Sequence, residues 1–445
     1  MFKRKVYDQL LDWKENYSEK YAVLLEGARR VGKSTIAENF AQNEYESYII
    51  VDFANITDDL MSVFDDIADL DMFFLRLQAE TGVTLKRGNS VIVFDEIQLA
   101  PKVRQAIKYL VKDGRYSYIE TGSLITLKKN VKDIVIPSEE FKIEVYPMDY
   151  EEFLWACGKD KYSMLEQLNG LNKPIGNATN RSLMRDFRVY MAVGGMPQAV
   201  EAYIAGKNFV EIDFVKREII NLYKDDFRKI DSSGRISAIF DAIPAQLAAK
   251  RNRFILSSAT GKRTTRKDEE LLYELISSKT VMICYNTTNP TIALSQTKDY
   301  DTFKLYLSDI GLFTTMLFNH ESEVYSTIYS KLLSDKLDAD LGYLYENAVA
   351  QIIRANGREL YYHTWKPENK SHNYEIDFLI ASKMKIVPIE VKSSNINNHK
   401  SIEAFSEKYS SMVSRRIMFS QKDVGNKEML ELKPIYLAPV IISEL

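Results

Sequence analysis

The chain has 445 residues, 45% of them hydrophobic and 27% charged, and 59 Lys and Arg against 62 Asp and Glu leave a formal net charge of −3. That length predicts about two to four domains; the composition excludes wholesale disorder and a chain basic throughout, though not one basic patch. Two distant cysteines, Cys157 and Cys284, exclude a disulfide framework or Cys-rich zinc site, and four histidines without an HExxH argue against a His-based metal centre.

The N-terminus, MFKRKVYDQLLDWKENY, is basic but lacks the apolar core of a signal peptide, and no apolar run reaches the ~18 residues that span a bilayer. A cytoplasmic protein without a membrane partner is expected. Over the first 150 residues, YAVLLEG (21–27), YIIVDF (48–53), SVIVFDE (90–96) and YSYIETG (116–122) read as buried parallel strands separated by amphipathic segments. That alternation predicts βαβ units in a doubly wound sheet.

Directly after the first strand stands GARRVGKST, which fits G-x-x-x-x-G-K-[ST]. The run is Gly27, Ala28, Arg29, Arg30, Val31, Gly32, Lys33, Ser34 and Thr35. The glycines let successive N–H groups turn toward phosphate oxygens, and the helix that follows adds its positive end. Lys33 is expected on the β- and γ-phosphates of ATP and Ser34 on Mg²⁺. Arg29 and Arg30 meet either phosphate or acidic neighbours. At the end of the third strand, Asp95 is placed to hold the Mg²⁺ hydration shell, and Glu96 to polarise the attacking water. Thr121 and Ser123 end the next strand, either as γ-phosphate sensors or as helix N-caps.

From about 150 to 230 the pattern turns helical, broken by VGGMPQAV (193–200). GARRVGKST, VIVFDEIQ, YIETGS, VYPMDYEEF (145–153) and VYMAVGGMP (189–197) together resemble the AAA+-type P-loop ATPases of bacteria and archaea that carry an uncharacterised C-terminal region. The resemblance implies that Gly195 and Pro197 lie near the nucleotide; a plain helix–helix turn is the alternative.

KRNRFILSSATGKRTTRK (250–267) holds seven basic and no acidic residues, ahead of a helix at 268–278 and strand-like runs at 280–286 and 302–307. Helix, basic turn, helix and hairpin is the layout of a winged helix, which the family resemblance also implies; KLYLSDIGLFTTML (304–317) matches its D-x-G-L segment. The basic cluster points to DNA or RNA contact, although Asp268, Glu269 and Glu270 at the helix start oppose it; domain packing is the alternative.

The C-terminal part has a helix at 341–357 and strands ELYYHTW (359–365), YEIDFLI (374–380), KIVPIEVK (385–392) and RRIMFS (415–420), with an amphipathic segment near 400–413. Glu346 falls on an apolar side of its helix, off the polar stripe of Asn347, Gln351 and Arg354, and there wants a partner. Glu390 and Lys392 share a strand face. A hairpin turning over 382–385 pairs residues whose numbers sum to about 767, which sets Asp377 opposite Glu390. Two carboxylates that close call for a cation. Helix Glu, strand Asp, then Glu-x-Lys resembles the PD-(D/E)xK nucleases. The resemblance implies that Glu346, Asp377 and Glu390 bind Mg²⁺ or Mn²⁺ and that Lys392 orients the attacking water. A degenerate site, held by a structural ion network and only binding nucleic acid or a partner, is the alternative. Trp365, Tyr361 and Tyr362 either stack on bases or pack in the core; His363, His372 and His399 read as surface or strand histidines.

The expected architecture is α/β. It comprises a P-loop ATPase core with a doubly wound parallel sheet (1–155), a helical lid with the GGMP turn (156–230), a winged-helix-like middle (231–320) and a mixed α/β restriction-endonuclease-like domain (321–445). The expected partners are ATP, DNA or RNA, and either further copies of the chain or an unknown protein.

Overall fold

The computed structural model describes residues 1–122, 137–158, 161–261, 263–317, 329–330, 332–334, 341–367, 373–393, 399–427 and 429–445. Ser123 and His372, singled out above, lie outside the described residues. The chain forms two compact units, residues 1–146 with 277–279, and residues 147–276 with 280–445.

The first unit is built on one parallel sheet of β1 (Ala22–Glu26), β2 (Ser47–Asp52), β3 (Ser90–Asp95), β4 (Ser117–Gly122) and β5 (Glu140–Glu144), in the order β2-β3-β4-β1-β5. The first four are the four apolar runs of the sequence. β5 was not legible there, because in this edge strand only Ile143 is fully buried. The helix Lys33–Glu44 turns Ile36, Ala37, Phe40 and Ala41 inward at helical spacing. Phe73, Phe74 and Leu77 of the helix Leu70–Thr81 join Ile92 and Phe94 of β3 in the core. Each large apolar side chain buried there contributes about 1.5–3 kcal/mol. The carboxyl ends of β1, β3 and β4 therefore emerge side by side, where open parallel sheets bind ligands.

The second unit contains the helical region. The helices Asn177–Val193 and Pro197–Ile204 are split at Gly194–Gly195. A Cβ on Gly195 would fall 1.9 Å from the Met148 carbonyl oxygen, and one on Gly194 2.7 Å from Gly311 Cα. The buried Asp309 carboxylate accepts N–H bonds from Gly195 (2.6 Å) and Leu312 (2.8 Å). The Gly-Gly turn is thus seated on the D-x-G-L segment of its own unit. Asp423 accepts from the N–H groups of Ile175 and Gly176, Arg188 donates to Gln421 and Tyr436 to Asn180. These bonds tie the helices to the C-terminal strands.

Three helices, Arg235–Ala248, Leu256–Thr260 and Arg266–Ser277, precede the antiparallel pair β6 (Val281–Thr287) and β7 (Lys298–Leu307). Asp268, counted above against nucleic-acid contact, is 2% exposed; it bonds Thr265 and pairs with Arg235 at 2.9 Å, so it caps its helix rather than repelling a ligand. β8 (Leu360–Trp365) runs parallel to β6, and β9 (Tyr374–Ile376) pairs with β8, giving a sheet β7-β6-β8-β9. A mixed sheet follows, β10 (Phe378–Ser382), β11 (Lys385–Val391), β12 (Arg416–Ser420), β13 (Gly425–Lys427) and β14 (Leu430–Pro434), ordered β10-β11-β12-β14-β13.

Three expectations change here. YEIDFLI is not one strand; it breaks at Asp377, and its halves join different sheets. The stripe of Asn347 and Gln351 is buried, not solvated, because Asn347 bonds both backbone groups of Leu307, and Gln351 bonds Ile310 N–H and Met148 C=O. His399 is neither surface nor strand; it is 7% exposed, at the start of the helix Lys400–Lys408 and 3.0 Å from Glu403. His363 is a strand residue, bonded to Thr287 C=O at 2.7 Å and pushed down to about 4 by burial. Tyr361 and Tyr362 are buried, which is core packing. Among the described residues no helix is long and apolar enough to cross a membrane.

Candidate nucleotide and carboxylate sites

The loop between β1 and the helix Lys33–Glu44 carries the nine-residue phosphate motif. Gly27 lies so close to the neighbouring chain that a Cβ would sit 2.3 Å from Val145 C=O, and Gly32 takes a left-handed φ of 97°. Those two positions demand glycine. Gly32 caps the helix without a side chain, and no acidic residue occupies the first turn, so the positive end is open to an anion. Arg30 is exposed with φ 69°. Ser34 and Thr35 are exposed at the helix start.

Lys33 is 6% exposed, and its Nζ donates to Gly27 C=O (3.1 Å) and Ala28 C=O (2.9 Å). Burial pushes this ammonium down to about 8; Glu96 and Asp95 oppose the shift, and Arg29 adds to it. All four residues therefore share one electrostatic neighbourhood. Ser34 Oγ donates to Asp95 Oδ1 at 2.7 Å, although β4 separates β1 from β3 in the sheet. Thr121, on that intervening strand, donates to Asp95 and accepts the Glu96 N–H at 3.2 Å. It thus orients both acidic residues. Glu96 holds a positive φ of 53°, a strained setting for a non-glycine, and its carboxylate accepts from Gln98. Hydroxyl and carboxylate oxygens at this spacing are the donors Mg²⁺ takes, so Ser34 and Asp95 fit that ion. Two supports escaped the sequence reading. Gln98 is one, and the other is Arg4, whose guanidinium donates to Val31 C=O (3.0 Å) and Tyr146 C=O (2.6 Å) and braces the loop. Arg4 carries no motif signal, since only the fold brings it there.

The second site lies in the other unit. The β10–β11 hairpin pairs Phe378 with Ile389 and Ser382 with Lys385, so paired numbers sum to 767 as expected. Lys383 and Met384 turn it with positive φ. The ladder ends at Phe378–Ile389, one step short of Asp377 and Glu390. Asp377 Oδ2 accepts the Val391 N–H at 2.7 Å, and Lys392 Nζ lies 3.0 Å from Glu390 Oε2. Glu346 joins from the helix Gly342–Ala355. Burial, then Asp377, push Glu346 up to about 7. Glu390 also rises to about 7, chiefly by burial, against the pull of Lys392. Burial works against the charge of Lys392, but Asp377 and Glu390 outweigh it and hold it protonated.

Two more site residues were missed. Glu375, two residues before Asp377, lies 2.5 Å from Lys304 Nζ, and Lys304 comes from β7, far back in the chain. The signal for Glu375 was the i, i+2 spacing to Asp377; Lys304 had none. Glu375 Oε2 is buried without a hydrogen-bond partner, whereas the Glu390 carboxylate takes the Ile402 N–H and Lys392. Carboxylate oxygens suit a divalent cation by type. Yet among the described residues no three His, Cys, Asp or Glu side chains stand as a finished metal cage.

Residues 19–154 match the family model of the AAA domain. This part of the chain is an AAA-type ATPase domain. Past the AAA domain, residues 184–323 match a domain of unknown function, DUF8612, and residues 341–436 another, DUF4143. No curated protein matches the chain. Among solved structures it is similar to a signal transduction ATPase with numerous domains from Pyrococcus horikoshii, at 12% identity and TM-score 0.29, over 79% of this chain and 48% of that one. Others are the Hsp104–ADP complex of S. cerevisiae (11%, TM-score 0.29, 80% and 43%) and Cdc6p of Pyrobaculum aerophilum (12%, TM-score 0.24, 75% and 94%). The chain thus spans about half or less of the length of the first two. Scores this low decide neither fold nor function.

Proposed function

We propose that the chain is an ATP-hydrolysing enzyme whose second unit is a metal-dependent nuclease acting on DNA or RNA. The observation that carries the ATPase half is the convergence of Ser34, Asp95, Glu96 and Thr121 beside the buried Lys33. The loop N–H groups and Lys33 bind and orient the triphosphate. Mg²⁺, held by Ser34 and Asp95, supplies charge neutralisation of the phosphates when bound. Glu96 accepts a proton from water as the water oxygen bonds to the γ-phosphorus and the bond to the β,γ-bridging oxygen breaks, giving ADP and phosphate. Thr121 and Gln98 hold the two acids in place for that transfer.

The nuclease half is supported by Asp377 Oδ2, which accepts the Val391 N–H, and by Lys392 Nζ, 3.0 Å from Glu390 Oε2. Glu346, Asp377 and Glu390 would hold Mg²⁺ or Mn²⁺, which supplies Lewis acidity toward a phosphodiester. Lys392 orients the water and offsets charge on the phosphate. Three helices followed by the β6–β7 pair support a winged-helix role for the middle segment, with Arg251, Arg253, Arg263 and Arg266 toward nucleic-acid phosphates.

One observation favours a second reading, an ATP-driven binding switch with an inactive nuclease fold: Asp377, Glu375 and Glu390 each already stand on a partner within the chain. The deciding experiment incubates the protein with plasmid, linear duplex, single-stranded DNA and RNA, with Mg²⁺ or Mn²⁺, with and without ATP. Phosphate release is followed in parallel for wild type and Glu96→Gln. Cleavage by wild type alone, absent from Lys392→Ala, establishes the nuclease. Binding without cleavage of any substrate selects the switch. Normal hydrolysis by Glu96→Gln would remove that residue from the mechanism.

A further inference from the structure

Residues 249–255 link the helices Arg235–Ala248 and Leu256–Thr260, and this loop is pinned at three points. Its Asn252 carbonyl accepts the Tyr362 hydroxyl of β8 at 2.6 Å. Its Phe254 N–H donates to Phe303 C=O of β7 at 2.7 Å, with the two rings stacked 6.3 Å apart. Gln246 bonds both backbone groups of Ile255, at 2.6 and 3.0 Å. Between those anchors the loop carries Arg251 and Arg253, both exposed. Nearby, β7 leaves its ladder with β6: Phe303 pairs with Tyr285 but Asp299 with the next residue, Asn286, so residues 300–302 form a bulge. Thr302 of that bulge, Thr364 of β8 and Asn373, just ahead of β9, line one cleft of about 410 Å³ together with the two arginines.

The lining is one-sided in charge: two guanidiniums, hydroxyls and amides, and among the described residues no carboxylate. Among the described residues, neither the Arg251 nor the Arg253 side chain has a hydrogen-bond or ion-pair partner, and the Thr302 hydroxyl has none. Thr364 is fixed at the wall by Asn286, whose Oδ1 takes its N–H at 3.0 Å. A pinned loop with two unengaged guanidiniums lowers the ordering cost of binding. Guanidinium forks with hydroxyl donors suit a tetrahedral oxyanion, and Arg–phosphate bonds are the strong, directional class. The same loop opens the run 250–267, with seven basic residues and no acidic one, which suits a polyanion better than a lone phosphate. Asn373 stands four residues before Asp377, so their Cα atoms lie at most about 14 Å apart, or about four nucleotides along one strand of a duplex. We propose that this cleft anchors one backbone phosphate of a nucleic-acid strand, held by Arg251 and Arg253 with Thr302 and Thr364. The inference rests on the nucleic-acid reading of the second unit. It adds to that reading a fixed phosphate position, walled by β7 and β8 as well as by the basic loop.

The test measures fluorescence anisotropy of labelled single-stranded and duplex DNA and of RNA with the full chain, in EDTA and without nucleotide, at several salt concentrations. Arg251→Gln with Arg253→Gln should weaken the strand that wild type binds by about tenfold or more and lower the log–log salt slope by about 1. Both side chains are exposed, so the melting temperature should hold. Thr302→Val, which removes a donor but no charge, should weaken binding by a smaller factor and leave the salt slope unchanged. Arg228→Gln with Lys229→Gln removes the same charge from an exposed stretch of the helix Phe209–Ile230 and should bind as wild type does. Equal weakening by that pair would reduce the effect to net charge and overturn the inference. Unchanged binding in Arg251→Gln with Arg253→Gln, with binding lost in Arg263→Gln with Arg266→Gln, overturns this inference alone. So does calorimetry in which the Arg251 and Arg253 pair is needed for inorganic phosphate but not for any strand. No nucleic-acid binding by wild type overturns both the inference and the reading beneath it.

Discussion

The phosphate loop and the carboxylate cluster are built in opposite ways. Nine consecutive residues make the first, and its working groups are backbone N–H donors, one lysine and the helix end that follows. The second gathers Lys304 from β7, Glu346 from a helix, Glu375 from β9, Asp377 from the break between two sheets, and Glu390 and Lys392 from β11. A backbone site depends on where a Cβ is forbidden. A side-chain site depends on strand register and on which distant strand the sheet brings alongside. Substitutions should therefore damage the two in different ways, the first through space and the second through charge.

The largest effects should come from the forbidden Cβ positions. Gly27→Ala drives a methyl toward Val145 C=O, 2.3 Å away, and should abolish ATP binding, as Lys33→Ala should by removing the cation. Gly195→Ala meets backbone at 1.9 Å and should destabilise the second unit by about 3 kcal/mol or more. Fluorescent-ATP binding and thermal melts read these out. A Gly27→Ala protein that binds ATP normally would break the contrast at its first term. Next come the charge losses. Asp377→Asn and Lys392→Met should lower cleavage by about 10²–10³-fold while the melting temperature stays close to wild type, because isosteric changes leave the hairpin register alone. Loss of fold in both would instead mark the cluster as structural.

A smaller effect distinguishes the sites by pH. Burial lowers Lys33 to about 8, and a bound triphosphate favours its charged form. ATP binding should then take up a proton near and above pH 8, and affinity should fall as pH rises further, by up to about tenfold per pH unit. Calorimetry at pH 8.5 in two buffers of different ionisation enthalpy measures the uptake; its absence would place Lys33 away from the phosphates.

Much of this was readable in the sequence, for identifiable reasons. Four buried strands announced themselves as unbroken apolar runs, and the motif after the first strand named Lys33 and Ser34. The turn residues Lys383 and Met384 could be located from the hairpin alone, and with them the ladder that runs from Phe378–Ile389 to Ser382–Lys385. What stayed hidden were contacts between residues distant in sequence. Arg4 reaches Val31 across the fold, Lys304 reaches Glu375 through a shared sheet, and β5 lies at an edge where only one residue is fully buried. Asn347 and Gln351 misled the reading because buried amides that satisfy a neighbouring backbone look, in sequence, like a solvated stripe.

The last effect concerns a charge that serves neither site. Glu120 on β4 is fully buried, and neither of its oxygens has a hydrogen-bond partner. The nearby Arg104 gives two bonds, 2.7 and 2.8 Å, to Glu140 instead. Burial, and then the charge of Glu140, hold the Glu120 carboxyl well above its usual range, with Arg104 and Lys142 pulling the other way. It is therefore protonated in the fold at pH values where the unfolded chain, at about 4.3, has already ionised. For a group raised in this sense, stability is complete below the unfolded value and declines as pH climbs toward the folded one. Glu120→Gln removes that slope, since an amide stays neutral throughout. Wild type and variant should melt together near pH 4.5. By pH 8 the variant should lead, the gap growing by at most about 1.4 kcal/mol per pH unit, which is about 2–4 °C per kcal/mol for a unit of this size. Thermal melts of the full chain at several pH values between these limits measure the gap; a constant offset would show that Glu120 is charged in the fold after all, and that the sheet holding the phosphate loop tolerates an unpaired charge.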